Sequence, residues 1–314
     1  MVNAPLRIVY FGTPAFAVPS LVALIRSRHQ VLAVVSQPDR PRGRGQHVQT
    51  TPTHQVAEAH GIPVLQPQKI REEAFLSTIR DYAPDLGVVA AFGRILPDAL
   101  LAIPRLGMIN VHASLLPKYR GAAPIQRAVL AGERETGVSI MRVVTELDAG
   151  PTFATAVIPI GPDETSGDVE ARLALLGAET LVPVVDDLAA GRAVETPQDD
   201  SRATLAPKVT KAESEIDWTA PARVVHDKVR GLQPWPLAST HLAGIRYVVR
   251  RTERVLEHSR TPGSIVRAAG DDLVVACGDG ALRILEIQPE GRRTMTAREF
   301  LAGRRLTAGD RFGL

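Results

Sequence analysis

The chain has 314 residues, 45% of them hydrophobic and 23% charged, with a formal net charge of +3. That balance belongs to a folded globular chain, excludes collagen, coiled coil and disorder as whole-chain descriptions, and at roughly 150 residues per domain predicts two domains. The longest apolar runs, such as 86–92, fall far short of the roughly 18 residues of a membrane span, and the single cysteine, Cys277, excludes an internal disulfide and a thiolate cluster and fits a reducing compartment.

Residues 1–7 lack the basic segment, apolar stretch and small-residue cleavage site of a secretory leader, so a cytoplasmic protein is expected. Leu6–Phe11 reads as a strand, Gly12-Thr13-Pro14 breaks it, and Phe16, Val18, Leu21, Val22 and Ile25 recur at near-helical spacing before a second strand at Val31–Val35. Gln37–Thr53 holds three prolines, two glycines and three arginines without apolar periodicity, and reads as a loop. Pro52–His60 reads as a helix, Pro63–Leu65 as a short strand, Glu72–Tyr82 as a helix and Leu86–Phe92 as a strand buried on both faces. Met108–His112 is a further strand, followed by a helix at Pro124–Ala131 and strands at Gly137–Val144 and Thr152–Ile160. Asp168–Ala190 is a long amphipathic helix whose start carries Thr165 and Asp168 as a capping pair. This alternation predicts a Rossmann-like α/β domain with a mostly parallel sheet over residues 1–190.

From 191 to 207 the pattern lapses into the polar, aperiodic run Gln198-Asp199-Asp200-Ser201-Arg202, read as an interdomain linker. Beyond it the period becomes two. Tyr247–Val249, Gly263–Val266, Leu273–Cys277 and Leu282–Ile287 read as short strands between Gly- and Asp-containing turns, which predicts a small OB-like β-barrel over 208–314. Residues 208–314 carry 18 Lys+Arg against 13 Asp+Glu, a net of +5, leaving about −2 for the rest. The imbalance suggests a polyanionic partner for the second domain, with a solvated Arg-rich surface as the alternative. Trp218 and Trp235 read as core or linker-packing residues rather than base-stacking ones.

Gly12, at a turn from strand to helix, invites a dinucleotide site, but Phe11-Gly12-Thr13-Pro14-Ala15-Phe16 has one glycine where that fingerprint needs three, and no phosphate-loop motif is present. A tight strand–helix turn is the reading taken. The run Asn110-Val111-His112-Ala113-Ser114 carries more. Strand alternation places Asn110 and His112 on one face at a strand's C-terminal end, where open α/β sheets bind ligands. An amide N–H and an imidazole aimed at one point suit acyl transfer through an oxyanion. Asp148, between two strands, is a candidate to orient the imidazole and handle protons. Each also has a plain structural reading: a packing histidine, a turn-forming asparagine, a turn aspartate before Gly150.

The segments FGTPAFAVPSL, QPDRPRGRG, AFGRILP, INVHASLLPKYRGAAPIQRAVLAGERETGVSIM and LDAGP, with KVTKAESEIDW and LQPWPL further on, resemble the methionyl-tRNA formyltransferase family over essentially the whole chain. The resemblance implies transfer of a formyl group from 10-formyltetrahydrofolate to methionine on initiator tRNA, without a metal. It implies Asn110, His112 and Asp148 as the catalytic set, and Ser114, Leu115, Leu116 and Pro117 against the folate. Phe92, Ile95 and Leu96 would line its apolar pocket. Arg40, Arg42 and Arg44 would meet tRNA. A monomer acting in the cytoplasm is expected. Ala15 and Pro151 stand where Asp is frequent in such relatives, and Arg42 where a small residue is frequent, which bears on substrate positioning and not on the proposed catalytic set. Two rivals remain. A formyltransferase for a free small amine would need neither the three-arginine loop nor a basic second domain. A non-catalytic RNA-binding protein would show no folate dependence, and the 4% aromatic content argues against it.

Overall fold

The apolar run that opens the chain forms β1 (Arg7–Gly12), buried at every position after Arg7. Gly12 ends it because a Cβ there would lie 2.8 Å from both the Ala17 Cβ and the Tyr10 ring, so the glycine serves a tight strand–helix turn. After α1 (Val18–Arg26) and β2 (Gln30–Val35) come β3 (Arg40–Arg42), β4 (His47–Gln49), α2 (Pro52–Ala59), β5 (Val64–Leu65), α3 (Glu73–Asp81), β6 (Leu86–Ala90) and α4 (Asp98–Leu101). The chain continues through β7 (Met108–His112), β8 (Arg120–Gly121), α5 (Pro124–Leu130), β9 (Glu135–Arg142), β10 (Thr152–Pro159), α6 (Ser166–Ala189) and β11 (Leu205–Ala206). The computed structural model describes residues 4–42, 47–257 and 261–313. It divides into two compact units, one of Met1–Pro124, Glu135–Ile158 and Glu170–Ala206, the other of Ile125–Arg134, Pro159–Val169 and Pro207–Leu314.

In the first unit seven strands lie in the order β10-β9-β7-β6-β1-β2-β5. Neighbours from β7 through β6, β1 and β2 to β5 are parallel, and β9 runs antiparallel to β7. The sheet is therefore mostly parallel, as the alternating periods require. Phe11, Val35, Ile79, Val89, Leu100 and Met108 meet in one buried cluster on it. The start of α6 is closed by the expected reciprocal cap: Asp168 Oδ2 accepts from the Thr165 amide at 2.9 Å, and Thr165 Oγ1 accepts from the Asp168 amide at 3.2 Å.

One expectation is corrected. The segment 37–53 is not wholly a loop, because β3 and β4 pair antiparallel with Arg40 opposite Gln49 and Arg42 opposite His47. Proline is compatible with a two-stranded edge, where one face of the ladder is free, and Asp39 anchors the base by accepting from the Thr51 amide at 3.0 Å and Gln66 Nε2 at 2.8 Å. The segment 191–207, read as an interdomain linker, carries backbone pairing of its own: Thr196 exchanges hydrogen bonds of 2.9 and 2.8 Å with Thr152, and β11 pairs in parallel with β8.

The second unit adds α7 (Ala222–Gly231), β12 (Ala238–Leu242), β13 (Ile245–Val255), β14 (Ile265–Ala269), β15 (Asp272–Ala276), β16 (Ala281–Pro289), β17 (Met295–Thr296) and α8 (Ala297–Gly303). Its antiparallel sheet has the order β12-β13-β16-β15-β14, with β17 beside β16. Period-two alternation puts Tyr247 and Val249 inside, where Tyr247 meets Phe300 and Phe312 edge-on at 5.6 and 6.1 Å. Trp218 is buried as expected and its indole N–H donates to Thr240 Oγ1 at 2.9 Å. Trp235 departs from the expectation: it is 54% exposed, between Pro234 and Pro236. No helix among the described residues is long and apolar enough to cross a membrane.

Candidate active site

β6 and β7 are adjacent and parallel, with Val89 opposite Asn110, so the loops that follow them leave the same edge of the sheet. Both loops carry residues singled out from the sequence. Asn110 and His112 sit two apart on β7, hence on one face, opposite Met141 and Ser139 of β9. His112 is 5% exposed. Its Nε2 lies 3.0 Å from the Tyr119 carbonyl. A carbonyl only accepts, so this contact requires the proton on Nε2 and leaves Nδ1 as the nitrogen free to exchange one. Nδ1 faces Asp148 Oδ2 at 3.6 Å. The same carboxylate oxygen accepts from the Gly121 amide at 2.8 Å.

Left-handed backbone shapes both sides of this contact. Tyr119 has φ 63°, Gly121 φ 128° and Asp148 φ 48°. Non-glycine residues adopt such angles when surrounding contacts over-determine them. Gly150 sets the return of the Asp148 loop, since a Cβ on it would come within 2.0 Å of the Arg142 carbonyl.

The loop after β7 is fixed by hydrogen bonds rather than by regular structure. Ser114 is fully buried, its hydroxyl donates to the Lys118 carbonyl at 2.6 Å, and its own carbonyl accepts from Ser139 Oγ at 2.8 Å. Ser139 Oγ accepts from the Leu116 amide at 3.1 Å, and Leu115 packs where only Gly137 of β9 leaves room, a Cβ there falling 2.4 Å from Leu115 Cδ2. The Leu116–Pro117 bond is cis.

The three residues named from AFGRILP separate. Ile95 and Leu96 line a cavity of about 390 Å³ with Arg71, Leu76, Pro97, Asp98, Ala99 and Thr145. Ile95 is 75% exposed. Phe92 instead turns into the core, edge-on to Phe11 at 5.6 Å, and is absent from that lining. Arg94, overlooked in the sequence, clamps this loop through Gln37 Oε1 at 3.0 Å and the Pro67 and Gln68 carbonyls at 3.1 and 2.9 Å. Thr145 ties the Asp148 loop to the same region by donating to Asp98 Oδ1 at 2.8 Å.

Of the arginines expected to meet tRNA, Arg40 and Arg42 are on β3, while Arg44 lies outside the described residues. In the second unit β13 brings Arg246, Arg250, Arg251 and Arg254 along one strand, and no carboxylate pairs with any of them among the described residues. Cys277 is buried, which pushes its thiol up to about 12 and makes it no nucleophile.

Residues 6–185 match the formyl transferase family and 208–305 the formyl transferase C-terminal domain. A methionyl-tRNA formyltransferase of Geobacter metallireducens is 47% identical over 310 residues, covering 99% of each chain. One of Methylococcus capsulatus is 48% identical over 311, covering 98% of this chain and 100% of its own. Among solved structures, HypX from Aquifex aeolicus in complex with tetrahydrofolic acid superposes with a TM-score of 0.65 at 17% identity, covering 94% of this chain and 47% of its own. An N-formyltransferase from Helicobacter canadensis with folinic acid and dTDP-3-aminofucose gives 0.66 at 15%, covering 91% and 99%. The two structures share the fold; with about half of all residues identical from end to end to the first two relatives, the chain belongs to the methionyl-tRNA formyltransferase family.

Proposed function

We propose that the chain transfers the formyl group of 10-formyltetrahydrofolate to the amino group of methionine carried on initiator tRNA. The observation that carries this reading is the identity of 47–48% that extends through both the catalytic and the C-terminal domain, since a formyltransferase for a free small amine would need only the first. Asn110, His112 and Asp148 are assigned as its catalytic residues.

The cavity beside Ile95 and Leu96 is assigned to the folate: its lining combines apolar Leu76, Ile95, Leu96, Pro97 and Ala99 with Asp98 and Thr145 as polar groups and Arg71 as a cation for a carboxylate. Ser114, Leu115, Leu116 and Pro117, in the loop that Gly137 and Ser139 of β9 hold, are assigned to the folate as well, and Phe92 acts by holding the loop after β6 to the core. When bound, the folate supplies a formyl carbon to which the methionine nitrogen adds before the bond to N10 breaks. Asn110 donates its amide N–H to the oxygen that becomes negative at the tetrahedral centre. His112, its Nε2–H held by Tyr119, uses Nδ1 to stabilise that charge when protonated and to hand a proton to the departing nitrogen. Asp148 keeps the imidazole oriented and takes the proton that the methionine ammonium loses before its free amine attacks, and the second proton, lost by that nitrogen after addition, replaces the one His112 gives to the departing nitrogen. A separation of 3.6 Å is too long for a direct hydrogen bond, so the pair must tighten, or be bridged, around the reacting groups.

The tRNA reading rests on charge. Residues 208–314 carry a net +5, and the arginines of β13, which meet no carboxylate among the described residues, offer phosphate contacts on a sheet whose register shifts at Val249/Arg251 and Arg251/Thr252 bend the strand. That bending supports an OB-like curl of the second domain. Arg40, Arg42 and Arg44 contribute to acceptor-end recognition, and the enzyme acts as a cytoplasmic monomer with domains at 1–190 and 208–314. The test is direct: purified protein, 10-formyltetrahydrofolate and charged initiator tRNA yield formylmethionyl-tRNA. Formylation of a free amine, with none on tRNA, overturns the proposal.

A further inference from the structure

The segment 191–207 contains a side chain that touches both flanks of the His112–Asp148 contact. Gln198 Nε2 donates to the Asp148 carbonyl at 2.8 Å and the Gly150 carbonyl at 2.7 Å. Its Oε1 accepts from Arg120 Nε at 3.0 Å and Nη2 at 2.8 Å. Two N–H donors and two acceptor lone pairs are all that an amide has, so the group is saturated. Its orientation is also determined, since the reversed amide would oppose donor to guanidinium and oxygen to carbonyls.

The partners of Gln198 are the neighbours of the reacting pair. Asp148 sits at φ 48° and its carbonyl is one of the two that Gln198 anchors. Arg120 lies between Tyr119, whose carbonyl accepts the hydrogen bond from His112 Nε2–H, and Gly121, whose amide donates to the Asp148 carboxylate. A ring of contacts thus runs from His112 through Tyr119, Arg120, Gln198 and Asp148 back to His112. The segment is held before Gln198 by the Thr196–Thr152 pairing and after it by contacts with the loop that follows β7. Arg120 Nη2 reaches Asp200 at 2.6 Å, Thr204 Oγ1 accepts from the Tyr119 amide at 2.9 Å, and the Thr204 carbonyl accepts from the Arg120 amide at 2.8 Å.

We propose that Gln198 is a positioning residue for formyl transfer, setting the separation of Asp148 and His112 by fixing the backbone on both sides of them. It rests on the assignment of that pair as catalytic, and it makes residues 196–206 part of the active site rather than a tether. Gln198 acts through Asp148, and this separates it from a residue that only supports the fold.

The experiment measures formylation of charged initiator tRNA by the full chain carrying Gln198→Ala or Gln198→Glu, each alone and combined with Asp148→Ala. A displacement of 1 Å can cost about 10²-fold in rate, so a loosened rather than lost carboxylate is expected to lower kcat about 10-fold, with KM for both substrates within about twofold of wild type. Glu keeps the side chain's size but turns a carboxylate oxygen toward two carbonyls, so its loss matches or exceeds that of Ala and keeps the test open should Ala fail to fold. On the Asp148→Ala background neither change lowers kcat further, because the group being positioned is gone. Wild-type kcat in the Glu variant, or losses that add fully to that of Asp148→Ala, overturn the proposal while leaving the catalytic pair in place. Wild-type turnover by Asp148→Ala overturns the pair itself, and the role of Gln198 with it.

Discussion

In the parallel-sheet unit Arg94, Arg120 and Arg142 each hold two or more acceptors, whereas along β13 of the other unit Arg246, Arg250, Arg251 and Arg254 meet no carboxylate among the described residues. The same side chain serves opposite ends. Around the site the guanidinium is a fork that locks loops carrying left-handed residues, because transfer through a transient oxyanion tolerates little misplacement. On β13 the scaffold is an antiparallel strand held by its own backbone ladder, and its cations are the ones proposed to meet a partner's charge. The proposed chemistry therefore occupies loops cross-linked by side chains, and the proposed polyanion binding a strand held by its backbone ladder.

The largest effects should follow from breaking the first half of that contrast. His112→Ala and Asn110→Ala should each lower kcat by roughly 10²-fold or more, the scale of a lost preorganised donor or proton-transfer group, with folding intact. Single-turnover rates with melting curves as control measure this, and near-normal turnover would refute the assignment. Asp148→Asn should come next, with kcat reduced about 10-fold or more while folate binding, followed by equilibrium titration, persists. Loss of folate binding with normal single-turnover chemistry would make Asp148 a binding residue instead.

The second half of the contrast predicts a change in binding and not in chemistry. Arg250→Glu with Arg254→Glu should weaken tRNA affinity about 10-fold and reduce the slope of log affinity against log salt by about 2, leaving folate binding unchanged. An unaltered salt dependence would show that these arginines are a solvated surface.

How much of this was legible in the sequence varies with the range of the forces involved. β7 has the expected bounds, Met108–His112, because an apolar run after Gly107 fixes a buried strand locally, and alternation within it placed Asn110 and His112 on one face. The hairpin of β3 and β4 was hidden by Pro41 and by the lack of apolar alternation. Gln198 was hidden more completely. Its partners Arg120, Asp148 and Gly150 lie 78, 50 and 48 residues away, and the order of its segment comes from side-chain-to-backbone hydrogen bonds that leave no periodic trace. Its polar, aperiodic surroundings read as a tether for that reason. Phe92 misled in the other direction, since an aromatic residue beside a pocket motif has the same residue type whether it faces ligand or core.

The smallest effect concerns an arginine in the second unit that is paired, and it marks where the contrast ends. Arg127 Nη1 and Nη2 hold Glu213 at 2.6 and 3.1 Å, and Glu213 also caps its own turn by accepting from the Thr210 amide at 2.8 Å. The guanidinium hydrogen bonds foremost, with the capping bond, hold the Glu213 carboxyl at about 2, below its ordinary 4.5. A folded value below the unfolded one means that the stabilisation is fully present above pH 4.5 and is lost as pH falls through about 2. The Glu213 side chain is 34% exposed, so solvent screening limits the pair to about 1 kcal/mol or less. Glu213→Gln should therefore lower Tm by only about 2–4 °C at neutral pH, with the gap to wild type closing as the melts are taken from pH 4.5 towards 2, and with kcat and the salt dependence of tRNA binding unchanged. A gap that stays constant with pH would assign the role of Glu213 to the capping geometry alone. A change in the salt slope would mean that Arg127, once released, joins the arginines of β13 on the partner's charge, and that only pairing distinguishes structural from binding arginines in this unit.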